Sequence, residues 1–289
     1  MAQTIGIVGL GLLGSALAGR LHRSGYQVIG YDLSPAARQA FQELGGGVKP
    51  AARDVAAECD ILILSLPDSK VVAAVIAEIE LALRAGQIVI DTTTGEPADA
   101  ATLGDRLQAR GVKFVEATVG GSSAQVAARD AIVMAGGDVD TVQSARVLLG
   151  CFARDVFHVG PWGQGSRMKL VVNLVLGLHR AALAEGLTLA KAQTLDPGVA
   201  LAILKSSPAY STVMDTKGAK MLSGDFTPQA KLSQHLKDVR LILAAARQNG
   251  VELPLSAVHQ ELLARVEAAG HGELDNSAIL LAFGGAPPG

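Results

Sequence analysis

Near its start the chain reads Ile5-Gly6-Ile7-Val8-Gly9-Leu10-Gly11-Leu12-Leu13-Gly14, an apolar β-rich run that passes straight through Gly-x-Gly-x-x-Gly into a helical pattern. Few junctions restrict a fold so tightly. Gly9 permits the tight turn, Gly11 lets a pyrophosphate approach the backbone, and Gly14 lets helix and strand pack closely. The first helical turn, with Leu12 and Leu13, offers unpaired N–H groups to an anion. Without a ligand the same residues would be an ordinary glycine-rich turn; the strand before and the helix after favour a dinucleotide site. Eighteen residues past Gly14, at the end of the second predicted strand, Asp32 is placed to accept hydrogen bonds from an adenosine ribose. Its charge would repel a 2′-phosphate, and neither Leu33 nor Ser34 supplies an arginine, so NAD is expected over NADP. Arg38 falls inside the next helix. Read locally, Asp32 is a loop acid or a helix cap ahead of Pro35.

Up to about residue 160 the pattern is βαβ: strands are predicted over 4–8, 27–31, 61–66, 87–91, 112–116, 131–135 and 155–159. Helices are predicted over 12–24, 35–44, 69–83, 97–110 and 138–149. Beyond Gly160-Pro161-Trp162-Gly163-Gln164-Gly165 no β-rich run returns, and helices are predicted over 166–193, 197–205, 212–222, 230–249, 254–269 and 275–282. The expected architecture is an α/β Rossmann N-terminal domain, 1–162, joined by a long helix to an all-α C-terminal domain, 163–289. The tail from Gly284 to Gly289 is expected to fray.

Composition narrows the function. With 25 Lys and Arg against 27 Asp and Glu, no basic surplus exists to hold a phosphate backbone, so nucleic acid is not an expected partner. Two cysteines, Cys59 and Cys151, make neither a disulfide framework nor a CxxC pair, which fits a reducing, cytoplasmic setting. The apolar N-terminus lacks the basic region of a signal peptide. The apolar stretch 170–190 carries Asn173, His179, Arg180 and Glu185, costly in lipid, and reads as a buried helix. None of the six histidines stands at metal-ligand spacing from Cys, Asp or Glu, so no metal is expected. Ser65, Ser122 and Ser123 lack the context of a nucleophile elbow.

Four motifs together make the chain resemble the β-hydroxyacid dehydrogenases, the group containing 3-hydroxyisobutyrate dehydrogenase and tartronate semialdehyde reductase. They are Gly9-Leu10-Gly11-Leu12-Leu13-Gly14, Glu116-Ala117-Thr118-Val119-Gly120-Gly121-Ser122, Gly165-Ser166-Arg167-Met168-Lys169-Leu170-Val171-Val172-Asn173 and Lys237-Asp238-Val239-Arg240-Leu241. The resemblance implies hydride transfer between NAD and a small 3-hydroxy acid or its semialdehyde. It also implies assembly as a homodimer or homotetramer, and the apolar circumference of the 170–190 helix fits burial by a second chain.

Lys169 and Asn173, four apart on a predicted helix, project from one face. Hydride addition to an aldehyde creates an alkoxide that needs a proton, and hydride removal from an alcohol needs a base; Lys169 is the candidate acid and base. Asn173 can orient the substrate oxygen or hold the lysine. On the residues alone this pair is a lysine snorkelling from a helix end beside a polar stripe. The resemblance further places Leu66 and Pro67 near the cofactor, Thr94 near the nicotinamide ribose and Lys237 on the cofactor side, although Lys237-Asp238 by itself reads as a solvated helix face. Where the family has Asp-Ala-Pro-Val-Ser-Gly-Gly, the substrate-contacting serine is here Gly120. The Gly120-Gly121 backbone can still bind a carboxylate; Ser122 or Ser123 replaces the hydroxyl, or the pocket takes a different substrate. Two other readings stay open: reduction of another small carbonyl or imine, and a non-enzymatic dinucleotide-binding redox sensor.

Overall fold

The computed structural model describes residues 3–284, so the frayed tail expected beyond Gly284 lies outside the described residues. In chain order β1 (Thr4–Val8), α1 (Leu12–Arg23), β2 (Gln27–Tyr31), α2 (Pro35–Glu43), β3 (Gly47–Val48), α3 (Ala52–Glu58), β4 (Ile61–Leu64), α4 (Ser69–Ile79), β5 (Ile88–Asp91) and α5 (Pro97–Gln108) alternate. Then follow β6 (Lys113–Gly120), α6 (Ser123–Ala127), β7 (Ala131–Gly136), α7 (Val139–Leu149) and β8 (Ala153–Gly160). The eight strands form one sheet in the order β3-β2-β1-β4-β5-β6-β7-β8, parallel throughout except between β6 and β7. The strand order reverses between β1 and β4, the switch point at which an open α/β sheet leaves a crevice for a ligand.

The uninterrupted apolar strands are explained by helices on both faces. Every residue of Ile61-Leu62-Ile63-Leu64 is buried. Ile61 and Ile63 enter the hydrophobic cluster of Leu17 and Leu21 from α1, while Leu62 and Leu64 enter the opposite cluster with Val55 of α3 and Ile76 of α4. Sequence reasoning placed most of these elements but missed β3, α3 and α6, which have 2, 7 and 5 residues and too little periodicity to read. The strand expected over 112–116 continues to Gly120, because Thr118, Val119 and Gly120 pair with β7.

The second unit is helical. α8 (Gln164–Ala192) leads to α9 (Pro197–Ser206), α10 (Thr212–Ser223), α11 (Leu232–Gln248) and α12 (Pro254–Val266), followed by a π turn at Glu267–His271 and a 3-10 segment at Asn276–Phe283. Its core gathers Leu183, Leu187, Met214, Leu236, Leu263 and Ile279. The compact units divide at Lys169 and Leu170, inside α8, because the first turn of α8 is bonded to β6. By length and composition α8 could cross a membrane. Asn173, Arg180, Leu183 and Leu187 of this helix are buried, whereas Val171, Val175 and Leu189 are exposed.

Candidate active site

Tyr31, Val8, Leu64 and Asp91 stand in register at the ends of β2, β1, β4 and β5, so the loops after these strands open along one edge of the sheet, and Glu116, next in register, lies within β6. In the first of these loops Gly9 has φ +97°, and a Cβ there would lie 2.2 Å from the Ser65 carbonyl oxygen. A Cβ on Gly14 would lie 1.9 Å from the Gly9 oxygen. The protein's own backbone therefore excludes a side chain at both positions. Gly11 differs: a Cβ there would meet nothing within 4 Å, and its φ of −66° suits any residue. Open space over Gly11 is what close approach of a pyrophosphate requires. The helix beginning at Leu12 and Leu13 has no side-chain cap, leaving its first N–H groups for an anion.

Asp32 is tied to the same loop. Its Oδ2 accepts from Leu10 N at 2.7 Å and its Oδ1 from Ser34 N at 2.8 Å, and each oxygen keeps a second lone pair for a ribose hydroxyl. Ser34, not Asp32, caps α2, so the capping alternative for Asp32 falls away. The structure also returns Arg38 to the site. Its Nη1 donates to the Asp32 and Leu33 carbonyls, and its guanidinium stands 5.8 Å from the Tyr31 ring centroid. Helix position alone had put that charge out of reach.

The loops after β4 and β5 are laced together. Leu66 N donates to Thr93 Oγ1 at 3.2 Å and Thr92 Oγ1 to the Leu64 oxygen at 2.8 Å, leaving Pro67 exposed and Thr94 half-buried. Asp91 is buried and accepts from Thr93 N at 2.9 Å. Burial pushes its carboxyl up to about 7 against the pull of the Thr93 hydrogen bonds, and the charge of neighbouring Glu116 adds to the rise.

Glu116 makes a link to the start of α8 that motif reading passed over. Only 2% exposed, it accepts from Gly163 N at 2.8 Å, Gly165 N at 3.1 Å and Ser166 N at 2.6 Å. One buried carboxylate thus holds the turn entering α8 and its first residues, where a negative charge also meets the positive end of the helix. Lys169 follows in the second turn, 7% exposed. An acid between the apolar Val115 and Ala117 was the available signal.

The segment after β6 is only partly what the resemblance implied. Ser122 caps α6 in a capping box: its Oγ accepts from Gln125 N, and Gln125 Oε1 accepts from Ser122 N. Ser123 opens that helix. Gly121 has φ +153°, and a Cβ on Gly120 would lie 2.8 Å from Ile132 Cγ1, its partner across the ladder. A serine at 120 therefore requires Ile132 to move.

In the helical unit Asn173, 5% exposed, donates from Nδ2 to Asp238 Oδ2 at 2.8 Å. Lys237 Nζ lies 3.2 Å from Asp238 Oδ1. Lys237-Asp238 is thus no plain solvated face: Asp238 is buried and holds both Asn173 and its neighbour. Among the described residues no cluster of His, Cys, Asp or Glu has the makings of a metal site.

The parallel sheet with its glycine loop defines a dinucleotide-binding α/β domain, and its glycines and Asp32 suit an NAD(P) molecule. Residues 4–160 match the family model for the NAD binding domain of 6-phosphogluconate dehydrogenase, and residues 163–283 that for the NAD-binding domain of NADP-dependent 3-hydroxyisobutyrate dehydrogenase. The chain belongs to the β-hydroxyacid dehydrogenase family of NAD(P)-dependent oxidoreductases. It is 30% identical to an L-threonate dehydrogenase of Cupriavidus necator, over 99% of this chain and 97% of the relative. It is also 30% identical to a 2-(hydroxymethyl)glutarate dehydrogenase of Eubacterium barkeri, over 96% and 93%. A solved 3-hydroxyisobutyrate dehydrogenase of Mycobacterium tuberculosis with L-serine superposes with a TM-score of 0.86 at 28% identity, covering 98% of this chain and 99% of that one.

Proposed function

We propose that the chain interconverts a small 3-hydroxy acid and its semialdehyde with NAD in preference to NADP. Lys169 exchanges the proton at the substrate oxygen and Asn173 orients that oxygen. The bound nicotinamide supplies or accepts the hydride. The observation that carries this reading is a lysine buried in the second turn of α8, one turn before a buried asparagine, on a helix whose start is clamped by Glu116. A side chain held this way is positioned for proton transfer rather than left to sweep solvent. Asp238 in turn fixes the amide of Asn173 so that its carbonyl oxygen has one orientation. Gly120 and Gly121 supply backbone N–H groups for the substrate carboxylate and Ser123 supplies a hydroxyl; Ser122 caps α6.

Asp32 supports NAD because its negative charge would repel a 2′-phosphate. Two unpaired thiols, Cys59 and Cys151, support a cytoplasmic setting. The exposed apolar row Met168, Val171 and Val175 on α8 supports a homodimer or homotetramer. The residue 162 to 163 junction is proposed as the functional border between cofactor-binding and substrate or assembly domains.

The test follows NADH formation or loss over a panel of hydroxy acids and semialdehydes, with calorimetric titration of NAD and NADP. Turnover of a 3-hydroxy acid with tighter NAD binding is expected; tighter NADP binding removes the assigned role of Asp32. A second reading, reduction of another small carbonyl or imine, is favoured by one observation: Ile132 lies where a side chain at 120 would begin, giving that position an apolar wall.

A further inference from the structure

The helical unit buries a positive charge that the reaction above does not use. Arg180 stands on α8 two turns beyond Asn173, is 3% exposed, and has no hydrogen-bond partner at Nε or Nη1. His259 of α12, 2% exposed, has none at Nε2. Its ring is tilted against that of His235 with centroids 5.2 Å apart, and both rings press on Gly177, where a Cβ would lie 2.6 Å from each. Gly177 is three residues before Arg180, so the guanidinium and the imidazoles belong to one interior neighbourhood.

The surrounding charges do not balance. The carboxylate acting on Arg180 through space is Asp275, whose Oδ1 accepts from Lys217 Nζ, Ser277 N and Ser277 Oγ and whose Oδ2 accepts from Lys217 Nζ, Gln229 N and Ala230 N. Its single negative charge is already matched by Lys217, which is also buried. Asp238 is held by Asn173 and Lys237. His259 stays neutral, since burial and the charge of Arg180 push it down to about 4. Two buried cations therefore share one carboxylate. Burial pulls the guanidinium down to about 10, which still leaves it charged near neutrality. Proteins rarely leave a buried charge without a counter-charge, or buried donors without acceptors.

We propose that Arg180 and His259 form a receptor for a carboxylate-sized monoanion inside the helical unit, Arg180 giving the charge and N–H donors and His259 a ring N–H. The inference stands independently of the hydride-transfer reading. The anion has two possible sources, a free small anion or a carboxylate of the substrate.

The experiment uses the full chain, dialysed exhaustively into a buffer whose only anion is a bulky sulfonate, and titrates sodium acetate at constant ionic strength. The melting temperature of the unaltered protein is expected to rise with the logarithm of acetate once acetate exceeds its dissociation constant, reaching about 5 °C at a hundredfold excess. Arg180→Met should show no such rise and, with the lone charge gone, melt no lower than the unaltered protein in the acetate-free buffer. His259→Gln, which keeps the charge, should shift the acetate concentration at which the rise sets in upward several-fold and serves if Arg180→Met does not fold. Competition between acetate and a hydroxy acid in steady-state kinetics assigns the anion to the substrate; a melting shift with unchanged KM assigns it to a separate ligand. An unaltered protein indifferent to acetate, or an Arg180→Met protein that responds equally, overturns the proposal.

Discussion

In the sheet unit the buried carboxylate of Glu116 accepts three backbone N–H groups, while in the helical unit the buried guanidinium of Arg180 leaves Nε and Nη1 without a protein partner. Both groups are at least 97% removed from solvent. The difference teaches what a buried charge is for. A charge fully bonded to backbone stiffens that backbone, and Glu116 stiffens the turn that presents Lys169. A charge left without partners stiffens nothing and points instead to something that comes and goes. Asp275 stands on the side of Glu116: it gathers Lys217, Ser277 and two backbone N–H groups into one knot.

Breaking that comparison where it matters most means removing what Glu116 positions. Lys169→Ala should lower kcat by roughly 10²- to 10⁴-fold, the usual span for a lost general acid or base, with NAD affinity little changed. A loss confined to KM in steady-state assays would reduce Lys169 to a substrate-binding group. Next, Asp275→Asn should destabilise by about 3 to 5 kcal/mol, because Lys217 would keep its buried charge without a counter-charge. Chemical denaturation measures it, and a change below about 1 kcal/mol would show that the knot carries little.

Glu116→Gln tests the other pole. The amide offers one acceptor oxygen where the carboxylate has two, so a cost of about 2 to 4 kcal/mol is expected, together with a fall in kcat as the start of α8 loosens. Stability loss with full kcat would show that Lys169 is positioned by other contacts.

Asp91 gives a pH signature. Its folded value near 7 exceeds the ordinary 3.8, so the folded state binds more protons than the unfolded state between those values, and stability falls as pH rises through that window. Between pH 5 and pH 7 the loss from this group is about 2 kcal/mol, and Asp91→Asn should remove it. Denaturation curves of both proteins at the two pH values decide the matter; parallel pH profiles count against it. The smallest effect belongs to Ser122→Ala, which should cost about 1 kcal/mol through the lost cap and leave kcat/KM intact. If Ser122→Ala lowers kcat/KM while Ser123→Ala does not, the roles of the two hydroxyls are reversed.

Local signals carried far along the chain. Gly9, Gly11 and Gly14 are legible because a strand, a turn and a helix start lie within ten consecutive residues, and Asp32 because it ends the next strand at the spacing a dinucleotide loop sets. The alternation of strands with helices over the first 160 residues, and its end near Gly165, is likewise a matter of short-range periodicity. Ser122 shows where that reach stops. Its hydroxyl is one of two expected to replace a missing family serine, and in the structure its oxygen also caps α6 in a capping box with Gln125. The Ser-x-x-Gln spacing was visible, but a helix of five residues is too short to be read by period.

By itself the sequence determined the order of the longer elements, the dinucleotide loop and the pairing of Lys169 with Asn173 one helical turn apart, since each depends on neighbours within a few positions. Only the tertiary structure decided which polar groups share an interior: Glu116 with Gly163, Gly165 and Ser166, Asn173 with Asp238, and Lys217 with Asp275, all between 47 and 65 residues apart. It also brought Arg38 back onto Asp32 and set His259 against Gly177. The reason is physical. Periodicity encodes which face of an element leaves water, but the partner a buried charge finds there depends on how the elements pack, and no short window of sequence contains that.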